Sequence, residues 1–188
     1  MAFTFTVETG AGLAGANSYS SVAEADDYHS ASVSNAVWTA LSNGSKQSAL
    51  AMATRVLDAT FKFNGFKKLT TQALQWPRIM ARNPDEYDGI YLSGAVSSLS
   101  SGYWADDAVP RPVKDATAEL ARLLTVSDRT AEADGTGLKR VDIFEAIEVE
   151  FDSRNLRRTI PDYVAELLRG VGSANRGGGV HSARIDRA

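Results

Sequence analysis

Apolar residues recur at three- and four-residue steps in two stretches of the chain, and those stretches predict its main helices. In the first, Leu50, Ala53, Leu57 and Phe61 share one stripe of a helix that Ser42 caps and that runs to about Phe61. In the second, Val113, Ala116, Leu120, Leu123 and Leu124 form the stripe, behind Pro110 and Pro112, which a helix tolerates in its first turn. Ser21 with Glu24 three residues later is a capping box, so a short helix runs from Val22 to about Ser30. Ile160-Pro161 opens a last helix that continues through Leu168 and ends at Gly170.

A two-residue period is rarer. Phe3 to Val7 alternates as a short strand does, and Leu138–Ile143 with Ala146–Phe151 reads as a hairpin. Asn64-Gly65 is a turn signal, and Thr71 to Trp76 reads as a helical turn stopped by Pro77. Between about 79 and 107, Asn83-Pro84, Asp88-Gly89 and a serine cluster mark a long loop. Residues 171–188, with three consecutive glycines and little apolar content, read as a flexible arm. The pattern predicts a mainly α chain: a small helical bundle over residues 1–170, a short β-hairpin and an extended C-terminal arm over 171–188.

Composition narrows the setting. With 188 residues the chain can bury a core without staples, and it has no cysteine, so disulfides and thiolate chemistry are excluded. No stretch approaches the ~20 apolar residues that a membrane span requires, and a signal-peptide pattern is missing from residues 1–9. A soluble intracellular protein is expected. The net charge of −3 is uneven: from Asp152 onward there are seven arginines and four acids, and the residues before it carry nineteen acids and thirteen basic groups. An acidic body disfavours nonspecific binding of nucleic acid.

Candidate chemistry is thin. Gly10, Gly12 and Gly15 spell G-x-G-x-x-G, but four residues separate the last glycine from the helix signal, and the stretch about twenty residues on has no acid for a ribose, so the segment reads as a loop. Of the two histidines, His29 has Asp26 nearby and reads as a surface residue, since nothing marks an activated serine. The acidic pairs Asp26-Asp27, Asp85-Glu86 and Asp106-Asp107 diverge, and Glu148 with Glu150 reads as the wet face of a strand. The sequence predicts no catalytic, cofactor or metal site. It predicts protein contacts instead, from the aromatic and basic residues that favour interfaces: Trp76 and Arg78 in the Trp-Pro-Arg triplet, the basic run Arg154, Arg157 and Arg158, and Arg176, Arg184 and Arg187 in the arm. Trp38, Trp76 and Trp104 are expected as core or interface anchors.

Gly15-Ala16-Asn17-Ser18-Tyr19 followed by Val22-Ala23-Glu24-Ala25-Asp26 opens an ordered series. It continues with Trp38, Leu41-Ser42, Ala53-Thr54, Leu57-Asp58, Gln75-Trp76-Pro77-Arg78, Pro110, Glu119-Leu120-Ala121 and Glu148-Val149-Glu150-Phe151. Over residues 8–170 this series resembles a phage family often labelled DnaT-like single-stranded DNA-binding, whose genes belong to virion morphogenesis. Its helical layout also resembles the head-to-tail connector adaptors. The long 79–107 insertion and the glycine-rich extension depart from that pattern.

The resemblance implies a non-enzymatic structural protein of the virion neck, assembled in the host cytoplasm. Its partners would be the portal protein, a tail completion or tail terminator protein, and further copies of itself in a ring of about twelve. DNA would pass through the lumen, and no membrane is involved. The alternative is a phage single-stranded DNA-binding protein. For that reading, Lys62, Lys67 and Lys68 beside Phe61, Phe63 and Phe66 form the aromatic and basic cluster that stacking on a strand requires.

Overall fold

The computed structural model describes residues 3–86, 102–130, 140–143, 147–150 and 159–174, with backbone alone at 140–143 and 147–150. Two of its helices start where side-chain caps place them. Helix α1 (Val22–Ser30) begins at a complete capping box: the Ser21 hydroxyl accepts from the Glu24 N–H, and the Glu24 carboxylate accepts from the Ser21 N–H at 2.8 Å. A single turn, α2 (Ala36–Thr39), follows. Helix α3 (Asn43–Thr60) is capped by Ser42, whose side chain accepts from the Ser45 N–H. Its predicted stripe, Leu50, Ala53, Leu57 and the flanking Phe61, is buried.

Strand β1 (Phe61–Phe63) continues directly from α3, followed by β2 (Phe66–Lys67) and β3 (Arg78–Ile79). Helix α4 (Arg111–Val126) starts after Pro110 with Pro112 in its first turn. Residues 116 to 121 of α4 are all buried, and six consecutive residues at 100° steps point in every direction around a helix. The middle of α4 is therefore enclosed, and α1, α2, α3 and α5 (Asp162–Leu167) all pack on it. Small side chains at Ala116, Ala118 and Ala121 permit that close approach.

Among the described residues three two-stranded antiparallel sheets accompany the helices: β1 with β6 (Gly172–Ala174), β2 with β3, and β4 (Arg140–Ile143) with β5 (Ile147–Glu150). The fold is therefore mixed α and β, which corrects the expected mainly α bundle. The hairpin β4–β5 falls where alternation placed it. The seam β1–β6 was hidden, because its partners, Phe61 with Ala174 and Phe63 with Gly172, lie far apart in sequence.

That seam also moves the boundary expected at residue 170. Val171 is fully buried, its carbonyl accepts from the Asn64 N–H at 2.9 Å, and β6 follows at once. Gly172 to Ala174 thus belong to the folded body; the rest of the expected arm lies outside the described residues. The strand expected at Phe3–Val7 reduces to one bridge, Val7 with Ser18.

The helical turn expected at Thr71–Trp76 does not form. There the buried Gln72 side chain donates to the carbonyls of Leu74 and Pro77 and accepts from the Leu69 N–H, tying an irregular loop whose Trp76–Pro77 peptide is cis. At the long insertion, Trp104 N–H donates to Ala81 and Asn83 N–H to Gly102, so the two flanks are pinned together; residues 87–101 lie outside the description.

Among the described residues no helix is long and apolar enough to cross a membrane.

Candidate interaction surface

The ribbon β2–β3 carries the most exposed apolar ring beside basic residues. Phe66 pairs across the ribbon with Ile79 and is 65% exposed; Met80, the next residue, is 62% exposed. Lys62 and Lys67 are exposed on the same short stretch of chain, and Lys68 lies 3.7 Å from Asp106. Leu69 adds a further exposed apolar side chain. Exposed apolar side chains that lie together mark contact surfaces, whereas single scattered ones are ordinary.

The ribbon is held from beneath. Gly65 has a left-handed backbone, φ +71°, and a Cβ there would lie 2.3 Å from the Ile79 carbonyl oxygen, so only glycine lets the two turns approach. Met80 opposite is also left-handed, φ 55°, an unfavourable conformation for a residue with a side chain. Arg78 braces both turns: Nε donates to Asn64 O and one terminal nitrogen to Gly65 O, each at 2.6 Å, while the other nitrogen donates to the Gln75 carbonyl and side-chain oxygens at 3.1 Å.

Below Arg78 lies a buried polar knot. The Tyr19 hydroxyl donates to Asp58 and accepts from the Gln75 N–H at 3.0 Å and the Trp76 N–H at 3.3 Å. The second Asp58 oxygen also accepts from Gln75 N–H at 3.0 Å. Burial pushes the Asp58 carboxyl up to about 6, against the opposing pull of its hydrogen bonds and of Lys67 and Arg78. Burial, and then the Asp58 charge, push the Tyr19 phenol well above its ordinary value. Edge-on contacts of Phe63 with Tyr19 and Trp76 enclose the knot.

Trp76 and Arg78, expected at a contact, are thus buried, at 0% and 8% exposure, and they shape the surface from inside. Phe61 and Phe63 are buried too, which leaves Phe66 alone as an exposed ring in that cluster. Arg154, Arg157, Arg158, Arg176, Arg184 and Arg187 lie outside the described residues.

The glycine loop has an occupant of its own. Glu8, 1% exposed, accepts from the N–H groups of Gly10 at 2.8 Å, Gly12 at 2.9 Å and Leu13 at 2.8 Å. Converging backbone N–H groups are what an anion cradle uses, and here the chain's own carboxylate fills it. His29, expected on the surface, is fully buried between Tyr28 and Trp38, with Nε2 3.1 Å from the Ala118 carbonyl; burial lowers its pKa. Asp26 instead accepts from the Trp38 indole at 2.7 Å and from Lys46 at 2.8 Å, joining α1, α2 and α3.

Sequence reasoning missed Glu8, Tyr19, Asp58, Gln72 and Lys46 as organising groups. A signal existed for some of them, because Tyr19, Thr54, Asp58 and Gln75 to Arg78 all lie in the ordered series that carried the resemblance. Among the described residues there is no cluster of three or more His, Asp or Glu arranged to hold a metal.

A family model described as "Putative DnaT-like ssDNA binding protein" matches residues 3–188. The chain belongs to this family. The match takes in both the ribbon and the knot beneath it, so the DnaT-like family pattern spans the whole described body. No curated protein and no solved structure matches the chain.

Proposed function

We propose that this DnaT-like protein contacts single-stranded DNA through the β2–β3 ribbon. The observation that carries the reading is Phe66, a solvent-facing ring on a braced ribbon, with Lys62 and Lys67 exposed on the same stretch of chain. A base stacked on an aromatic ring contributes about 1–3 kcal/mol and tolerates any sequence, while lysines neutralise the flanking phosphates. The family description supports the same chemistry. The net charge of −3 keeps the remaining surface from adding to it, so binding is weak and local.

Two engaged lysines give a slope of log affinity against log salt of about −1.4, and three give about −2. Fluorescence anisotropy with a labelled oligothymidylate at low salt tests this. Phe66→Ala should weaken binding by about fivefold to a hundredfold, and the Lys62→Glu, Lys67→Glu double variant should abolish it. Absence of binding by the intact protein at low salt overturns the proposal.

A second reading is the head-to-tail adaptor of a phage neck, a non-enzymatic protein that joins a portal ring to tail proteins. The exposed Leu69, Ile79 and Met80 favour it, since a stacked base needs the Phe66 ring and not that wider apolar patch. Native mass determination with and without the portal complex of the same phage separates the two: stoichiometric capture by the portal without oligonucleotide binding selects the adaptor.

A further inference from the structure

We propose that Asp58 is a positioning residue for the ribbon surface, acting through Gln75 and Arg78, so that a buried acid on α3 sets how firmly Phe66 is presented. The inference rests on the DNA-contact reading for its ligand but not for its geometry.

The path is continuous. Asp58 Oδ2 holds the Gln75 N–H at 3.0 Å; the Gln75 carbonyl and side-chain oxygens hold Arg78 at 3.1 Å; Arg78 holds the carbonyls of Asn64 and Gly65 at 2.6 Å, where the ribbon begins. The titratable and charged groups acting on Asp58 are Tyr19 ahead of α1, Lys67 on β2 and Arg78 on β3. Asp58 meets only donors here, the Tyr19 hydroxyl and the Gln75 N–H.

An ionised carboxylate, which only accepts, satisfies both donors. A protonated one serves them less well. With its proton on Oδ2 it confronts the Gln75 N–H; with its proton on Oδ1, toward Tyr19, it displaces the hydroxyl hydrogen from its acceptor and leaves Oδ2 a neutral acceptor for Gln75. Protonation therefore weakens the first contact of the path in either placement, because that bond loses its charge assistance. Because burial raises this carboxyl to about 6, the change falls between pH 5 and 7.

The sign distinguishes positioning from general stability. A carboxyl whose folded value is raised contributes stability below its unfolded value and loses it as pH rises through about 6. That loss applies to the whole fold. The ribbon should do the opposite and tighten as Asp58 ionises. A purely structural role moves both in the same direction.

The test is amide hydrogen exchange on the full chain at residues 65–67 and 78–80 from pH 5 to 7.5, corrected for intrinsic rates, alongside oligothymidylate binding. Protection and affinity are each expected to rise about fivefold to tenfold through pH 6, the equivalent of one hydrogen bond. Both profiles should flatten in Asp58→Asn; the wild-type profile alone decides the matter if that variant does not fold. Ribbon protection that is flat, or that falls with rising pH, overturns the inference whatever DNA does. Protection that rises without oligonucleotide binding at any pH upholds the inference and overturns the DNA-contact reading alone.

Discussion

Replacing Glu8 by glutamine should destabilise the protein far more than a change of one atom suggests. The carboxylate accepts three backbone N–H bonds in a site with 1% exposure. Glutamine can keep its oxygen toward Gly10 and Gly12, but its amide nitrogen then faces the Leu13 N–H, donor against donor. Two bonds lose their charge assistance and a third is lost with both groups unpaired. Hydrogen bonds to charged groups are worth about 1.5–3 kcal/mol, and an unsatisfied buried donor costs about 1–3 kcal/mol. A destabilisation of about 3 kcal/mol follows, which for a domain of this size lowers Tm by about 6–12 °C.

Thermal melting by circular dichroism at pH 7, with urea titration as a second probe, measures it. A Tm within about 1 °C of the parent would refute the cradle as a source of stability. The backbone around it leaves no easy escape, since Gly10 is left-handed at φ +103° and a Cβ there would lie 1.9 Å from the Asp107 carbonyl oxygen.

Two further outcomes can be checked. His29 is held neutral by burial, so its stability contribution is complete above the ordinary imidazole range and is lost as pH falls through its lowered value. Urea midpoints should therefore drop from pH 7.5 toward acid more steeply in the parent than in His29→Gln, whose side chain does not titrate; equal slopes would remove His29 from the acid response. Ending the chain after Gly170 deletes the buried Val171 and strand β6, and should cost about 3–5 kcal/mol, on the scale of a large core truncation. A truncated protein that melts with the full chain would show the seam to be dispensable.

The longer helices were legible because their signals are local. Ser21 with Glu24, Ser42 before the Leu50 stripe, and Pro110 before Val113 each fix a start within a few residues. What escaped was set by partners distant in sequence. Phe61-Lys62-Phe63 alternates in burial as a strand does, but its partner begins at Gly172, inside a segment too poor in apolar residues to read as folded. The stretch from Thr71 to Trp76 looked helical because nothing in its composition shows that Gln72 will satisfy the backbone groups of an irregular loop there.

The candidate surface was half visible. The lysines and phenylalanines stood out as a cluster, but only the fold separates exposed Phe66 from buried Phe61 and Phe63. Arginine and tryptophan in one triplet suggested an interface, whereas a guanidinium can satisfy several carbonyls at once and serves here as an internal brace. The Glu8 cradle was hidden for another reason: a glycine pattern is the same whether its anion arrives from solution or from two residues upstream.

The pairing of Phe61–Phe63 with Gly172–Ala174 carries a kinetic consequence. It closes a loop of more than a hundred residues, whereas the turns of α1, α3 and α4 need only near neighbours. Loop closure of that length is an entropic cost met before any contact returns it, so a refolding chain should zip this seam after its helices form. Until then Phe61, Phe63 and Val171 present apolar surface beside an unpaired strand edge, and it is in that interval, with its helices already in place, that the protein is most exposed to self-association.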